Sequence, residues 1–274
     1  MCDEMIFIMA LGKIRMKTSG IFIGLMIFLL STGVSFAAHP LITDDALTVG
    51  EGKAQLEVTG EYGYDENEGV TVRAIDIEAT VTYGLLNNLD IVCGIPMHHI
   101  KTKIDATPFD SGGKTTEDGL GDISLEAKWK FFEGRPLSFA LKPCLTVPTG
   151  DHEKGMGAGK VTYGAYFIST GEFNPWAVHF NLGYTENRNK LDERKGIWHA
   201  SIAGEFAMDE RLKLVANIGS EKNTDKASSI NPAFALGGLI YTVQKNLDVD
   251  CGVKIGLNTP ETDIATLAGI TWHF

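Results

Sequence analysis

The sequence predicts an all-β fold: a single antiparallel up-and-down transmembrane β-barrel of about twelve strands, with short periplasmic turns and longer extracellular loops. Three observations predict it. Apolar residues recur at every second position beyond the first fifty residues, tight turns alternate with long polar connections, and the final strand is amphipathic and ends on an aromatic residue. A period of two is that of an extended strand, whereas a helix would space its apolar residues by three and four.

Taken in chain order, the first element is a leader. The run at 21–30 (IFIGLMIFLL) is too short for a spanning helix, which needs roughly 20 apolar residues. Lys13, Arg15 and Lys17 precede it and Ser35-Phe36-Ala37 follow it, which is the layout of a signal peptide cleaved after Ala37. Residues 1–37 are therefore expected to be removed, with Met16 as an alternative start that would give a leader of ordinary proportions. Residues 38–52, which include Asp44 and Asp45, precede the first strand. They either fold into the barrel as a plug or lie in the periplasm.

Strands are expected at 53–64, 70–82 and 89–99, whose wet faces carry Glu57 and Glu61, Asp76 and Glu78, and Asp90. In the next, 121–131, Ile123, Leu125, Ala127, Trp129 and Phe131 alternate with Asp122, Ser124, Glu126, Lys128 and Lys130. Lys142 lies on the wet face of 137–147. Strands at 160–170, 176–185 and 196–207 follow, with Glu205 inward in the last. In 211–220, Leu212, Leu214, Ala216 and Ile218 alternate with Arg211, Lys213 and Asn217, and 231–242 comes next. The cleanest alternation is in 247–257, where Leu247, Val249, Cys251, Val253, Ile255 and Leu257 oppose Asp248, Asp250, Gly252, Lys254 and Gly256. The strand at 262–274 closes the series. The charged residues named on these wet faces are the expected pore lining.

Tight turns fall at 84–88, 132–136, 171–175, 208–210 and 243–246, with long polar segments at 101–120, 149–159, 186–195 and 221–230 between them. A soluble sandwich with its oily face inward would show the same alternation. Aromatic placement separates the two. Tyr62, Tyr83, Trp129, Phe131, Trp176, Tyr184, Tyr241 and Trp272 lie near strand ends, where an amphipathic ring sits at lipid headgroups. Ile270, Trp272 and Phe274 share one face of the last strand, an ending that resembles the signal read by outer-membrane assembly machinery. Expected partners are outer-membrane lipid, that machinery during biogenesis, and a small-molecule solute.

Composition narrows the function. The chain is 44% hydrophobic with a formal charge of −11, which argues against nucleic acid as a partner. After the leader, Cys93, Cys144 and Cys251 remain, an odd number without a CxxC pair, so they are read as small apolar residues. Gly155-Met156-Gly157-Ala158-Gly159-Lys160 lacks the Ser or Thr and the first glycine of a phosphate loop. His98 and His99 point to opposite faces, and His152 sits between Asp151 and Glu153 in a loop, so no metal or cofactor is expected. A lipid hydrolase would need His and Ser facing lipid. His179, His199 and Ser201 face the lumen instead, and the chain is expected not to be an enzyme.

Pro40-Leu41-Ile42-Thr43-Asp44-Asp45-Ala46, Gly119-Leu120-Gly121-Asp122, Pro148-Thr149-Gly150-Asp151 with its glycine-rich loop, and Asn246-Leu247-Asp248 occur in that order. With them the mature chain resembles the MetA-pathway phenol-degradation family. The resemblance implies an outer-membrane barrel, labelled a transporter and associated by name with uptake of phenolic or aromatic compounds. A channel for passive passage of small solutes is the leading expectation; a sealed structural or surface-binding barrel and an outer-membrane hydrolase are the alternatives. The lumen charges either interlock as a salt-bridged plug or line a wet path.

Overall fold

The protein is described by a computed structural model covering residues 39–106 and 111–274, so the expected leader lies outside the described residues. Among the described residues no helix is long and apolar enough to cross a membrane. The first strands are β1 (Ala54–Asn67), β2 (Val70–Leu86), β3 (Leu89–Ile104), β4 (Gly113–Leu120), β5 (Ile123–Glu133) and β6 (Leu137–Val147). They are followed by β7 (Thr162–Phe173), β8 (Trp176–Glu186), β9 (Gly196–Ala207), β10 (Leu212–Glu221), β11 (Ala233–Gln244), β12 (Leu247–Gly256) and β13 (Ile264–His273).

Each strand pairs antiparallel with its neighbours, and β1 pairs with β13 from Gln55↔His273 to Tyr64↔Ile264, which closes the sheet. β4 and β5 both lie against β3, so the wall is twelve strands around. Leu120 opposes Met97 and Ser124 opposes Gly94, leaving one extra residue on the β4–β5 side. That residue makes a bulge at Gly121–Asp122, where the Gly121 amide donates to Pro96 O at 2.9 Å.

All twelve expected strands are present. One expectation is corrected: residues 101–104 and 113–120 are not loop but paired strand, β3 continuing to Ile104 and β4 returning along it as the outer part of a hairpin. Both faces of this hairpin are largely polar, in Lys101-Thr102-Lys103 and Lys114-Thr115-Thr116-Glu117, so the backbone ladder runs on where hydrophobic alternation has stopped. β2 and β3, at 17 and 16 residues, consequently stand taller than the 10-residue β10 and β12.

The outer face is apolar. Ile77, Ile95, Leu125, Leu214 and Val253 project outward and are exposed, so the arrangement is a barrel with an oily exterior and not a pair of stacked sheets. Aromatic rings gather on the outer surface toward the short-turn rim, where Trp176 and Phe206 centroids lie 4.5 Å apart and Trp272 stacks on Phe274 at 5.6 Å. The buried side chains fill the interior, and they are mostly polar or charged on the walls of β3, β5, β6, β8 and β12.

Candidate functional site: a strapped lumen and its vestibule

Residues 39–52 run inside the barrel as a strap along the inner wall. Its bonds to the wall follow the strands in sequence. His39 bonds Asp250 on β12. The amides of Ile42 and Thr43 donate to Asn217 Oδ1 on β10 at 2.7 and 3.0 Å, and the Thr43 hydroxyl donates to Ser201 on β9 at 2.8 Å. Asp44 exchanges two backbone bonds with the Asn181 side chain on β8, at 2.7 and 2.8 Å. The Ala46 amide donates to Thr170 on β7 at 2.8 Å and the Val49 amide to Asp90 on β3 at 3.0 Å. An extended backbone inside a lumen must find partners for its amides and carbonyls, and inward Asn side chains supply both roles in one group.

Two apolar pockets hold the strap between these bonds. Leu41 is buried among Ala203, Val215, Phe234, Leu236 and Leu267, and Ala46 among Ala140, Tyr166 and Ile168. Pro40 lies against Gly238 and Gly252, which pair across β11 and β12; a side chain at Gly238 would meet the proline ring. Beside Ala46 stands a charge network. Asp44 accepts from Lys128 Nζ at 3.0 Å and Lys142 Nζ at 2.9 Å, and Lys142 also reaches Glu126 at 3.1 Å. Two ammonium groups thus face two carboxylates, all at side-chain exposures of 1–2%. Burial makes such a balance compulsory, because an unpaired charge there costs several kcal/mol.

Above the strap, toward the long loops, lies a cavity of about 310 Å³ floored by His39 to Ile42. One wall, from β2, β3 and β5, is polar and includes Asp76, Glu78, His98, Ser124 and Glu126; another carries Phe234, Leu267 and Ile197. The loop at 148–161 folds inward over the vestibule. Asp122 at the bulge accepts from Gly150 N at 2.9 Å and Ala158 N at 2.8 Å, while Thr149 Oγ1 donates to Gly121 O at 2.8 Å. Met156 is fully buried against Val70, Val72 and Ile100. The glycine-rich stretch therefore delivers backbone amides to an internal carboxylate, and Gly157 has no room for a side chain beside Asp122. The shared Gly-Asp of two motifs was the available signal for this junction; periodicity says nothing about it.

The expected pore-lining residues divide by height. Asp44's partners Lys128 and Lys142, with Glu126 on Lys142, form the network, and Asp90 is beside them. Glu61, Asp76, Glu78, Asp122 and Lys254 face the vestibule. Glu61 and Glu261 pair with Lys254 at 2.9 and 3.5 Å. Glu57 is buried and accepts from Thr271, and Asp250 is taken by His39. Lower down, Glu205 pairs with Lys213 at 2.9 Å, Lys130 with Glu133 at 2.8 Å and Asp248 with His273 at 3.0 Å. Arg211 lies exposed in the turn before β10 and not on a wall. Ile270, Trp272 and Phe274 face outward.

His98 and His99 bond different carboxylates, Asp76 and Asp118, on opposite faces. Among the described residues no group of three or more His, Cys, Asp or Glu side chains is arranged to hold a metal. His199 Nε2 lies 2.9 Å from Ser201 Oγ, with Glu221 3.8 Å from the other ring nitrogen. This has the outline of a nucleophile and base, but Ser201 is buried beneath Thr43, whose hydroxyl donates to it. A substrate carbonyl has no approach to that oxygen while the strap is in place.

Fold and interior together define a class: a closed twelve-stranded barrel whose lumen holds an N-terminal strap beneath a charged vestibule. Within that class, the chain belongs to the family described as "Putative MetA-pathway of phenol degradation", which matches residues 39–274. A search of curated proteins by sequence finds no match. Among solved structures, the chain is similar to the KdgM porin, with a TM-score of 0.52 and 9% identity over 80% of this chain and 99% of that one. It is similar to the NanC porin (TM-score 0.51, 10% identity, 79% and 98% coverage). It also resembles the transport unit of the autotransporter AIDA-I from Escherichia coli (TM-score 0.53, 11% identity, 93% and 98% coverage). At these identities the likeness is one of fold.

Proposed function

We propose that this protein is a non-enzymatic outer-membrane channel or transporter for small solutes, entered from the long-loop side and held shut at its floor by the strap. The observation that carries the reading is the vestibule: a cavity of about 310 Å³ inside a closed wall, ending on His39 to Ile42. The apolar exterior supports a hydrocarbon surrounding, since backbone groups of a closed barrel are all paired and only side chains meet lipid. The family name and the apolar vestibule wall around Phe234 and Leu267 support solutes with an aromatic or hydrophobic body.

Planar-bilayer conductance and liposome swelling test this with two proteins, the full chain and a variant lacking residues 39–48. The full chain should show rare or small steps, and the variant frequent steps with faster swelling. A second reading, a sealed structural barrel, is favoured by the dry Asp44 network. Folded variant protein that neither conducts nor admits solute would establish that reading and end the first.

A further inference from the structure

We propose that the vestibule binds a small primary ammonium compound with an apolar or aromatic body; this deepens the channel reading and rests on the same cavity. Most vestibule acids are already matched. Asp76 bonds His98, Glu126 bonds Lys142, and Glu61 and Glu261 share Lys254. Glu78 forms no salt bridge among the described residues, its nearest basic groups His98 and Lys142 being bonded to Asp76 and to Asp44 and Glu126, and its Oε1 is shut off from solvent without a hydrogen-bond partner.

Two further buried polar atoms on the same wall are also unpartnered: Ser124 Oγ and His98 Nε2, on residues only 4% and 6% exposed. Their placement follows from strand register. Glu78 lies opposite Pro96, and Gly94, two residues back on β3, lies opposite Ser124 on β5. A side chain at Gly94 would collide with both Glu78 Oε1 and Ser124 Oγ, so the glycine leaves open the space between these two oxygens. A buried carboxylate beside a hydroxyl, both lacking donors, calls for a cationic donor, because leaving such groups unpaired is expensive. An ammonium supplies three N–H donors and the missing positive charge.

The rest of the cavity sets the body of the ligand. Leu41, Ile197, Phe234 and Leu267 offer an apolar surface elsewhere in the same space. A volume of about 310 Å³ is at the small end of ligand pockets, so the body is limited to about one ring or a short alkyl chain.

Isothermal titration calorimetry on the folded full chain in detergent tests this with three probes of one shape: 2-phenylethylammonium, 2-phenylethanol and 3-phenylpropionate. The ammonium should bind at least about tenfold more tightly than the alcohol, as expected for a charge-assisted bond, and the carboxylate most weakly. Glu78→Gln should bring the ammonium to about the affinity of the alcohol. Equal or tighter binding of the alcohol or carboxylate to the unmodified chain would overturn the proposal, and this ordering decides it even if the variant does not fold. Binding is measured without permeation. A barrel that binds with this preference but never conducts refutes the channel reading alone, and one that conducts without it refutes the ammonium site alone.

Discussion

At the scale of single residues, the interior is governed by pairing. Lys142 bridges Asp44 of the strap and Glu126 of the wall, at 2.9 and 3.1 Å. Lys142→Met keeps much of the length and removes the charge, leaving two carboxylates against one ammonium. We expect a loss of about 3–5 kcal/mol, the usual cost of stranding a buried charge. Denaturant unfolding of the purified barrel measures it, and a change under 1 kcal/mol would show that the network is not the strap's anchor. Glu193, in the loop between β8 and β9, responds to pH. Burial raises its carboxyl above the usual carboxylate range, and the Asn187 amide opposes this with a bond of 3.1 Å. The sign follows: a raised folded-state pKa favours the protonated form, so its contribution is full below the unfolded value and lost as pH rises through the folded one. Amide protection of residues 187–195, corrected for intrinsic exchange, should fall as pH rises above the carboxylate range. Glu193→Gln should flatten that fall, and identical profiles would remove the explanation.

At the scale of elements, alternation made the strands legible because each wall residue has one oily and one wet neighbour surface. Leu247 to Gly256 shows it plainly, with Asp250, Gly252 and Lys254 buried and Val253 and Ile255 exposed. The β3–β4 hairpin was not legible because both of its faces are polar above the apolar band. Its ladder from Lys101↔Thr116 to Lys103↔Lys114 rises beyond the paired length of β5. Removing residues 102–115 and joining the ends should therefore leave the barrel's heat-modifiable gel mobility intact. Loss of that mobility shift would mean that the hairpin belongs to the folding core. The strap was legible only as a choice between plug and periplasmic segment. Ser201 and Asn217 read from sequence as ordinary wet-face residues. Nothing in a period of two reveals that Asn181 and Asn217 converge on the backbone of residues 42–44 and Ser201 on the Thr43 hydroxyl.

At the scale of the whole molecule, the loops form a connected group around one mouth. Lys190 N donates to Ala158 O at 2.9 Å, and the Arg194 guanidinium reaches the carbonyls of Asn223, Asp225 and Lys226 at 3.0–3.3 Å. The opposite end is defined by short turns and by the seam of β1 with β13, beside which Trp272 and Phe274 stack on the outside. Phe274 is 65% exposed, so its ring adds little to the wall, while its backbone exchanges bonds with Ala54 at the seam. Phe274→Ala is expected to leave the refolded barrel's unfolding midpoint nearly unchanged while lowering the amount inserted into the outer membrane of cells. Equal insertion of both forms would show that the terminal ring is not an assembly signal.

The position of the strap also has a consequence for the order of construction. His39 precedes β1, yet it is fastened to Asp250 on the penultimate strand, and Leu41 is enclosed partly by Leu267 on the last. Residues that precede every strand are thus gripped by the last two strands of the wall. A ring sealed empty would have to be threaded afterward from the short-turn end, where Thr48 and Glu51 bond Asn87. The strap is thereby placed where a mandrel would sit, with contacts to the later strands on offer before the two edges meet.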